Sequence, residues 1–277
     1  MRFGICCGSG SFVPSIQAQP LSPLPRLMET MQEAGADYVE FGVGSVLPDA
    51  EESEFEKLRE LLTRFPLRPE AFNSFIPAHL RITGPDVNLA AVLSFCRIAL
   101  TRCQKLGGEV VVLGSGAARK VAPGYDPAAA ENQFIEFCRK LGAVAADAGI
   151  TVALEPLNTK EDNLLVSVKH GAMLVDAIAH PRIQLLADLY HMSQDNEPVS
   201  NAADAGKRLC HTHLADLGRV APGFAPAGEE NFIGFFRALR KAGYDKRCSF
   251  EGSFANIETQ SKPVLALLRK RWAESAE

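Results

Sequence analysis

Four short stretches of this chain gather residues that ligate metals or move protons. They are "VALEPLN" with Glu155, "LLADLYH" with Asp188 and His191, "HTHLAD" with His211 and His213, and "SFEGSF" with Glu251. Three carboxylates and one imidazole make a hard, oxygen-rich donor set. It suits Mn²⁺ foremost, and Mg²⁺, Co²⁺, Zn²⁺ or Fe²⁺ also fall within its range. Brought together without a cation, three carboxylates repel and shift one another's pKa values. Taken singly, each residue has a plainer explanation. A lone strand-end glutamate is usually solvated or paired, Asp188 with His191 can be a helix cap, and His211 alone reads as a satisfied core histidine. Their recurrence in four consecutive stretches is what points to one metal site of Glu155, Asp188, His213 and Glu251.

Each stretch closes a short apolar run, so the elements carrying them are strands. One rhythm repeats along the chain: an amphipathic helix, a glycine, then a β-rich segment. It appears in "METMQEAGADYVEF", "RCQKLGGEVVVL", "AVAADAGITVALE" and "LRKAGYDKRCSFE". Gly35, Gly107, Gly149 and Gly243 stand where a helix closes with a left-handed residue. The pattern predicts eight strands near Phe3–Cys7, Tyr38–Phe41, Glu70–Ser74, Val110–Leu113, Thr151–Glu155, Gln184–Asp188, Leu209–His213 and Cys248–Gly252. Phe55, Leu58, Leu62 and Phe65 share one helical face. So do Phe232, Phe235, Phe236 and Leu239, and later Val264, Leu265, Leu268 and Trp272. "VNLAAVLSFCRIALTRCQKLG" is the longest clean helical pattern.

Eight alternating βα units in 277 residues predict a (β/α)8 TIM barrel, with residues 1–277 as a single domain. The alternative is a doubly wound open sheet. That fold would place a glycine fingerprint after its first strand, and "CGSGSF" lacks the full spacing. In a barrel, chemistry belongs at the C-terminal strand ends. Alternation then puts Ala153 on the face of Glu155, Ser249 on that of Glu251, Leu186 on that of Asp188, and His211 on that of His213.

Composition bounds the function. With 47% hydrophobic residues a large core can form, and no apolar run approaches the roughly 18 residues of a membrane span. The opening "MRFGICCGSGSF" has no leader-like apolar core, which predicts a cytoplasmic protein. The seven cysteines show no C-x-x-C spacing and read as reduced, buried hydrophobes, with Cys6 or Cys7 near a strand end. A net charge of −4 argues against nucleic acid as a partner.

"LEPLN", "ADLYHM", "HTHLAD" followed by "GR", and "SFEGSF" together resemble the xylose isomerase-like TIM-barrel superfamily, nearest its ketose 3-epimerase branch. The resemblance spans nearly the whole chain and is most specific from Glu155 to Glu251. It implies the metal ligands Glu155, Asp188, His213 and Glu251, with Glu155 and Glu251 doubling as the acid/base pair. It implies substrate contacts by His191, Arg219 and Glu161. It further implies a carbohydrate substrate, free or phosphorylated, and a homodimer or homotetramer. The reaction would be proton transfer beside a carbonyl through an enediolate. The segment "PLNTK" departs from the family's usual arginine–aromatic pair, which leaves the sugar open.

Glu40 in "YVEF" is expected at the same rim, binding a sugar hydroxyl or pairing with a neighbour. "VLGSGAARKVAPGYD" offers Arg119 and Lys120 either to an anionic substrate group or to solvent, and "FIPAHLRITGP" is a candidate lid. Rival functions share the framework. They are an inosose-type dehydratase, a hydroxypyruvate isomerase, an AP endonuclease with three zinc ions, and a non-catalytic binding protein. The endonuclease needs further histidine ligands that "VVVLGSG" lacks, and the intact Glu155–Glu251 pair speaks against the binding protein.

Overall fold

The computed structural model describes residues 1–7 and 23–276. Eight parallel strands close into a barrel in sequence order. They are β1 Arg2–Cys7, β2 Tyr38–Gly42, β3 Pro69–Asn73, β4 Val110–Leu113, β5 Thr151–Leu154, β6 Ile183–Asp188, β7 Leu209–Leu214 and β8 Arg247–Phe250. β1 pairs with both β2 and β8, so no edge remains and the open-sheet alternative is excluded. All four predicted closing glycines have a positive φ, from 70° to 102°, which lets each helix stop within one residue of its strand approach. The glycine–serine run after β1 lies outside the described residues.

Two apolar regions follow from strand alternation. Outward residues such as Val152, Leu154, Leu185 and Phe250 pack against the surrounding helices. Inward residues Tyr38, Ala71, Val110, Val112, Ala153, Leu186 and Cys210 fill the barrel below the site. The plug requires Gly4. A Cβ there would stand 2.5 Å from the Tyr38 ring, well inside van der Waals contact. The longest helix is Pro127–Asp147, whereas the expected one runs only over Leu89–Lys105. Its buried stripe runs through Ala130, Phe134, Phe137, Cys138, Leu141, Val144 and Ala145. No helix among the described residues is long and apolar enough to cross a membrane.

Two irregularities in register serve the site. Between β2 and β3 the pairing steps from Val39↔Pro69 to Glu40↔Ala71. Between β6 and β7 it steps from Leu185↔Leu209 to Leu186↔His211, which sets Asp188 opposite His213. Such a bulge re-aims the side chains beyond it.

Candidate metal centre

β5, β6, β7 and β8 deliver Glu155, Asp188, His213 and Glu251 to one point. One donor atom from each lies within 4.8 Å of all the others, and all four residues are buried. The His213 ring presents Nδ1 to the cluster, 3.0 Å from Glu155 Oε1 and 3.5 Å from Glu251 Oε2. Asp188 Oδ1 accepts from the Tyr190 amide at 2.8 Å and caps the helix Leu189–Gln194. Its Oδ2 is buried with no hydrogen-bond partner among the described residues. An orphaned carboxylate oxygen costs free energy unless something positive meets it. Burial pushes the Asp188 carboxyl up, and the neighbouring charges of Glu155 and Glu251 add to the push. Burial acts in the same direction on Glu251, yet the His213 charge and hydrogen bond and the Arg219 guanidinium overcome it and hold that carboxyl low. This donor set therefore fits a divalent cation.

Residues from the other strands shape the ligands. Asn73, ending β3, donates its amide to Glu251 Oε1 at 3.1 Å. Gly114, just past β4, leaves room for Glu155, since a Cβ there would lie 2.2 Å from Glu155 Oε2. The Cys6 thiol of β1 faces His213 and Glu40.

The expected substrate contacts divide. His191 accepts at Nδ1 from the Asn158 backbone amide at 3.2 Å and side-chain amide at 2.9 Å. Its ring proton therefore sits on Nε2, which is buried, without a partner among the described residues, and 3.6 Å from Asp188 Oδ2. Arg219 bonds Glu251 Oε2 at 2.8 Å, reaches Glu161 Oε1 at 3.7 Å and covers the Tyr190 ring at 4.7 Å. Its backbone is left-handed at φ 59°, a strained state for a non-glycine residue. Ser253 holds it there, its amide donating to the Arg219 carbonyl at 2.9 Å. Glu161 stands half-exposed at the mouth beside His191 and Arg219. These three thus meet beside the ligands.

Glu40 does not lie at the rim. It is fully buried below the ligands, its carboxylate bonded to His211, His213 and Ser249. This corrects the expected sugar contact and bears out the pairing alternative. Strand position alone fails here because β2 continues for two residues past Glu40, to Gly42.

Arg119 is neither solvated nor open to an anionic ligand. It is fully buried and donates to Asp162 Oδ2 at 2.6 Å and to the carbonyls of Leu113, Glu155 and Leu165 at 2.9, 2.7 and 3.2 Å. A buried charge is tolerated only when so fully met. It ties the ends of β4 and β5 to the loop carrying Asn158 and Glu161. Lys120 instead lines a cavity of about 780 Å³ with Arg81, Thr83 and Tyr125. None of the orphaned buried polar atoms belongs to that lining. Asp216, closing the "HTHLAD" stretch, is no ligand. It accepts from the amides of Leu217, Gly223 and Glu230 and so folds the loop that bears Arg219.

Residues 28–271 match the family model described as xylose isomerase-like TIM barrel. The chain belongs to that family. It is 30% identical over 278 aligned positions to an L-ribulose 3-epimerase of Mesorhizobium japonicum, covering 97% of this chain and 88% of that one. To an L-ribulose 3-epimerase of Methylomonas sp. it is 28% identical over 248 positions, with coverage of 87% and 83%. The D-psicose 3-epimerase of Clostridium cellulolyticum H10, solved with D-tagatose, shares the fold with a TM-score of 0.83 at 18% identity, covering 98% of this chain and 99% of that chain. Sequence reasoning missed Asn73, Gly114 and Cys6 as partners of the ligands. An asparagine at a strand end and a glycine directly after one were the available signals.

Proposed function

We propose that this protein is a divalent-metal-dependent sugar epimerase or isomerase of the ketose 3-epimerase kind, inverting a carbon beside a carbonyl by proton removal and return. The observation that carries the proposal is the convergence of four donors from consecutive strand ends, with both candidate proton-transfer carboxylates among them. Epimerase relatives that cover most of the chain support it.

Glu155, Asp188, His213 and Glu251 would hold the cation. Bound there, Mn²⁺ or a similar ion supplies Lewis-acid polarisation and offsets negative charge. The residues of the chain do the rest. Glu155 and Glu251 arrive from β5 and β8, three staves apart on the closed ring. A planar enediolate held between them exposes one face to each carboxylate. One glutamate removes the proton next to the carbonyl, and the other returns a proton on the opposite face. The Nε2–H of His191 and the guanidinium of Arg219 donate to substrate oxygens, and Glu161 accepts from a hydroxyl at the mouth. Arg219 already faces the carboxylates of Glu251 and Glu161, which favours an uncharged sugar over a phosphate ester.

The test is incubation of the Mn²⁺-loaded protein in D₂O with a panel of ketopentoses, ketohexoses and their phosphates. The expected result is deuterium at C3 of a free ketose, together with its C3 epimer and no loss of mass as water. Metal-bound protein that labels no ketose would refute the proposal, and label at C1 or C2 with aldose formation would redirect it to isomerisation.

A further inference from the structure

We propose that Glu40 is the positioning residue of the metal centre, holding the His213 ring so that Nε2 is committed to Glu40 and Nδ1 is the nitrogen turned to the acidic donors. The inference rests on the metal-centre proposal above and adds a residue that touches neither the ion nor the substrate.

The geometry is one-directional. His213 Nε2 lies 2.9 Å from Glu40 Oε1. His211 Nε2 lies 2.7 Å from Glu40 Oε2, and the Ser249 hydroxyl donates to that same oxygen at 2.6 Å. An ionised carboxylate only accepts, so both ring nitrogens are the donors. Ser249 has given its hydrogen to Glu40, so the Tyr38 hydroxyl, 2.8 Å from Ser249 Oγ, must donate to it. Every hydrogen in this buried chain therefore points toward Glu40. The remaining nitrogen of His213 is Nδ1, which faces Glu155 and Glu251.

The arrangement is not simply a set of core polar groups satisfying one another. His211 Nδ1 is buried without a partner among the described residues. The network accepts that cost and directs three donors from β7 and β8 onto one carboxylate. Among the described residues no lysine or arginine side chain bonds to Glu40; its hydrogen bonds there come from two imidazoles and a hydroxyl. A carboxylate behind a ligating imidazole fixes the ring's orientation and tautomer and raises its basicity toward a metal. The bulge between β6 and β7 gives this arrangement a backbone cause, because it brings His211 and His213 onto the face that Glu40 occupies.

Two measurements test the inference. The first is the Mn²⁺ dissociation constant by chelator competition, which needs no substrate. Glu40→Gln keeps the side-chain shape and removes the charge, and it should weaken Mn²⁺ binding by about 10- to 100-fold. Ser249→Ala removes one neutral donor and should weaken binding by about two- to fivefold. Glu40→Gln protein that folds and binds Mn²⁺ within threefold of the wild type would overturn the inference. If that variant does not fold, Ser249→Ala and Glu40→Asp decide, and unchanged binding in both overturns it.

The second measurement is ¹⁵N NMR of the histidine rings in metal-free protein. Wild-type His213 should show an Nε2 resonance characteristic of a strong hydrogen bond to a carboxylate, and Glu40→Gln should shift that resonance strongly. A resonance indifferent to the substitution overturns the inference. Wild-type protein that takes up no Mn²⁺ would instead sink the metal-centre proposal, while the NMR comparison would still decide the role of Glu40.

Discussion

The first four strands of the barrel and the last four end in different kinds of residue. β5 to β8 end in, or lead directly into, the four donors Glu155, Asp188, His213 and Glu251. β1 to β4 carry or lead into Cys6, Glu40, Asn73 and Gly114, none of which belongs to that set. Yet each acts on one of its members. Cys6 and Glu40 face His213, Asn73 donates to Glu251, and Gly114 leaves space for Glu155. In the proposed function, one half of the ring binds and the other half aims. A barrel makes this division possible because closure brings strands distant in sequence, such as β3 and β8, to face each other across the axis.

Damage to the binding half should be the most severe. Glu155→Gln removes a proposed proton-transfer group and should lower turnover by about 10²- to 10⁴-fold while the circular dichroism spectrum stays native. A loss under tenfold would mean that Glu155 is a ligand only. In the aiming half the largest effect should come from Gly114→Ala. The new methyl meets Glu155 Oε2, and a ligand displaced by even 1 Å should cost about 10²-fold in kcat/KM. Native kinetics in that variant would break the proposed division of labour.

Asn73→Ala should be milder. It removes one hydrogen bond to a charged oxygen, a contribution of about 1.5–3 kcal/mol, and should lower kcat/KM by roughly ten- to a hundredfold with KM little changed.

The smallest effect belongs to the opposite end of the barrel, away from the four donors. There Glu70 accepts from Arg2 and Arg247 at 2.5 to 2.8 Å. Partial burial raises its carboxyl, but the two guanidinium groups outweigh this and hold it below its ordinary value. A depressed carboxyl stabilises the fold fully above its unfolded pKa of about 4.3, and that share is lost as pH falls through the lower folded value. The contribution should be on the order of 1 kcal/mol, given surface screening. Denaturant titrations at pH 7 and pH 3 should show that Glu70→Gln flattens the difference by about that much, with kcat/KM untouched at neutral pH. Altered catalysis would show that the two ends of the barrel are coupled.

Much of the fold was legible because its signals are local. Strand ends fell within about two residues of prediction, since the apolar alternation and the glycines that stop each helix act over a few residues. The four donors were legible because carboxylates and histidine at strand ends are rare and recur at the right places. Glu40 was misplaced, since two further residues of strand beyond it separate a rim group from a buried one. Arg119 defeated both sequence-based alternatives. Nothing in "GSGAARK" announces that Asp162 and three carbonyls will enclose its guanidinium.

The sequence by itself determined the strand–helix alternation, the closing glycines and the chemical type of the donor set, because these depend on residue identity and short-range spacing. Only the tertiary structure decided which nitrogen of His213 meets the acids, that Glu40 stands behind it, and that Asn73 and Gly114 set the carboxylates. Those outcomes depend on the register of the closed ring and on contacts between residues up to 178 positions apart, which no local pattern encodes.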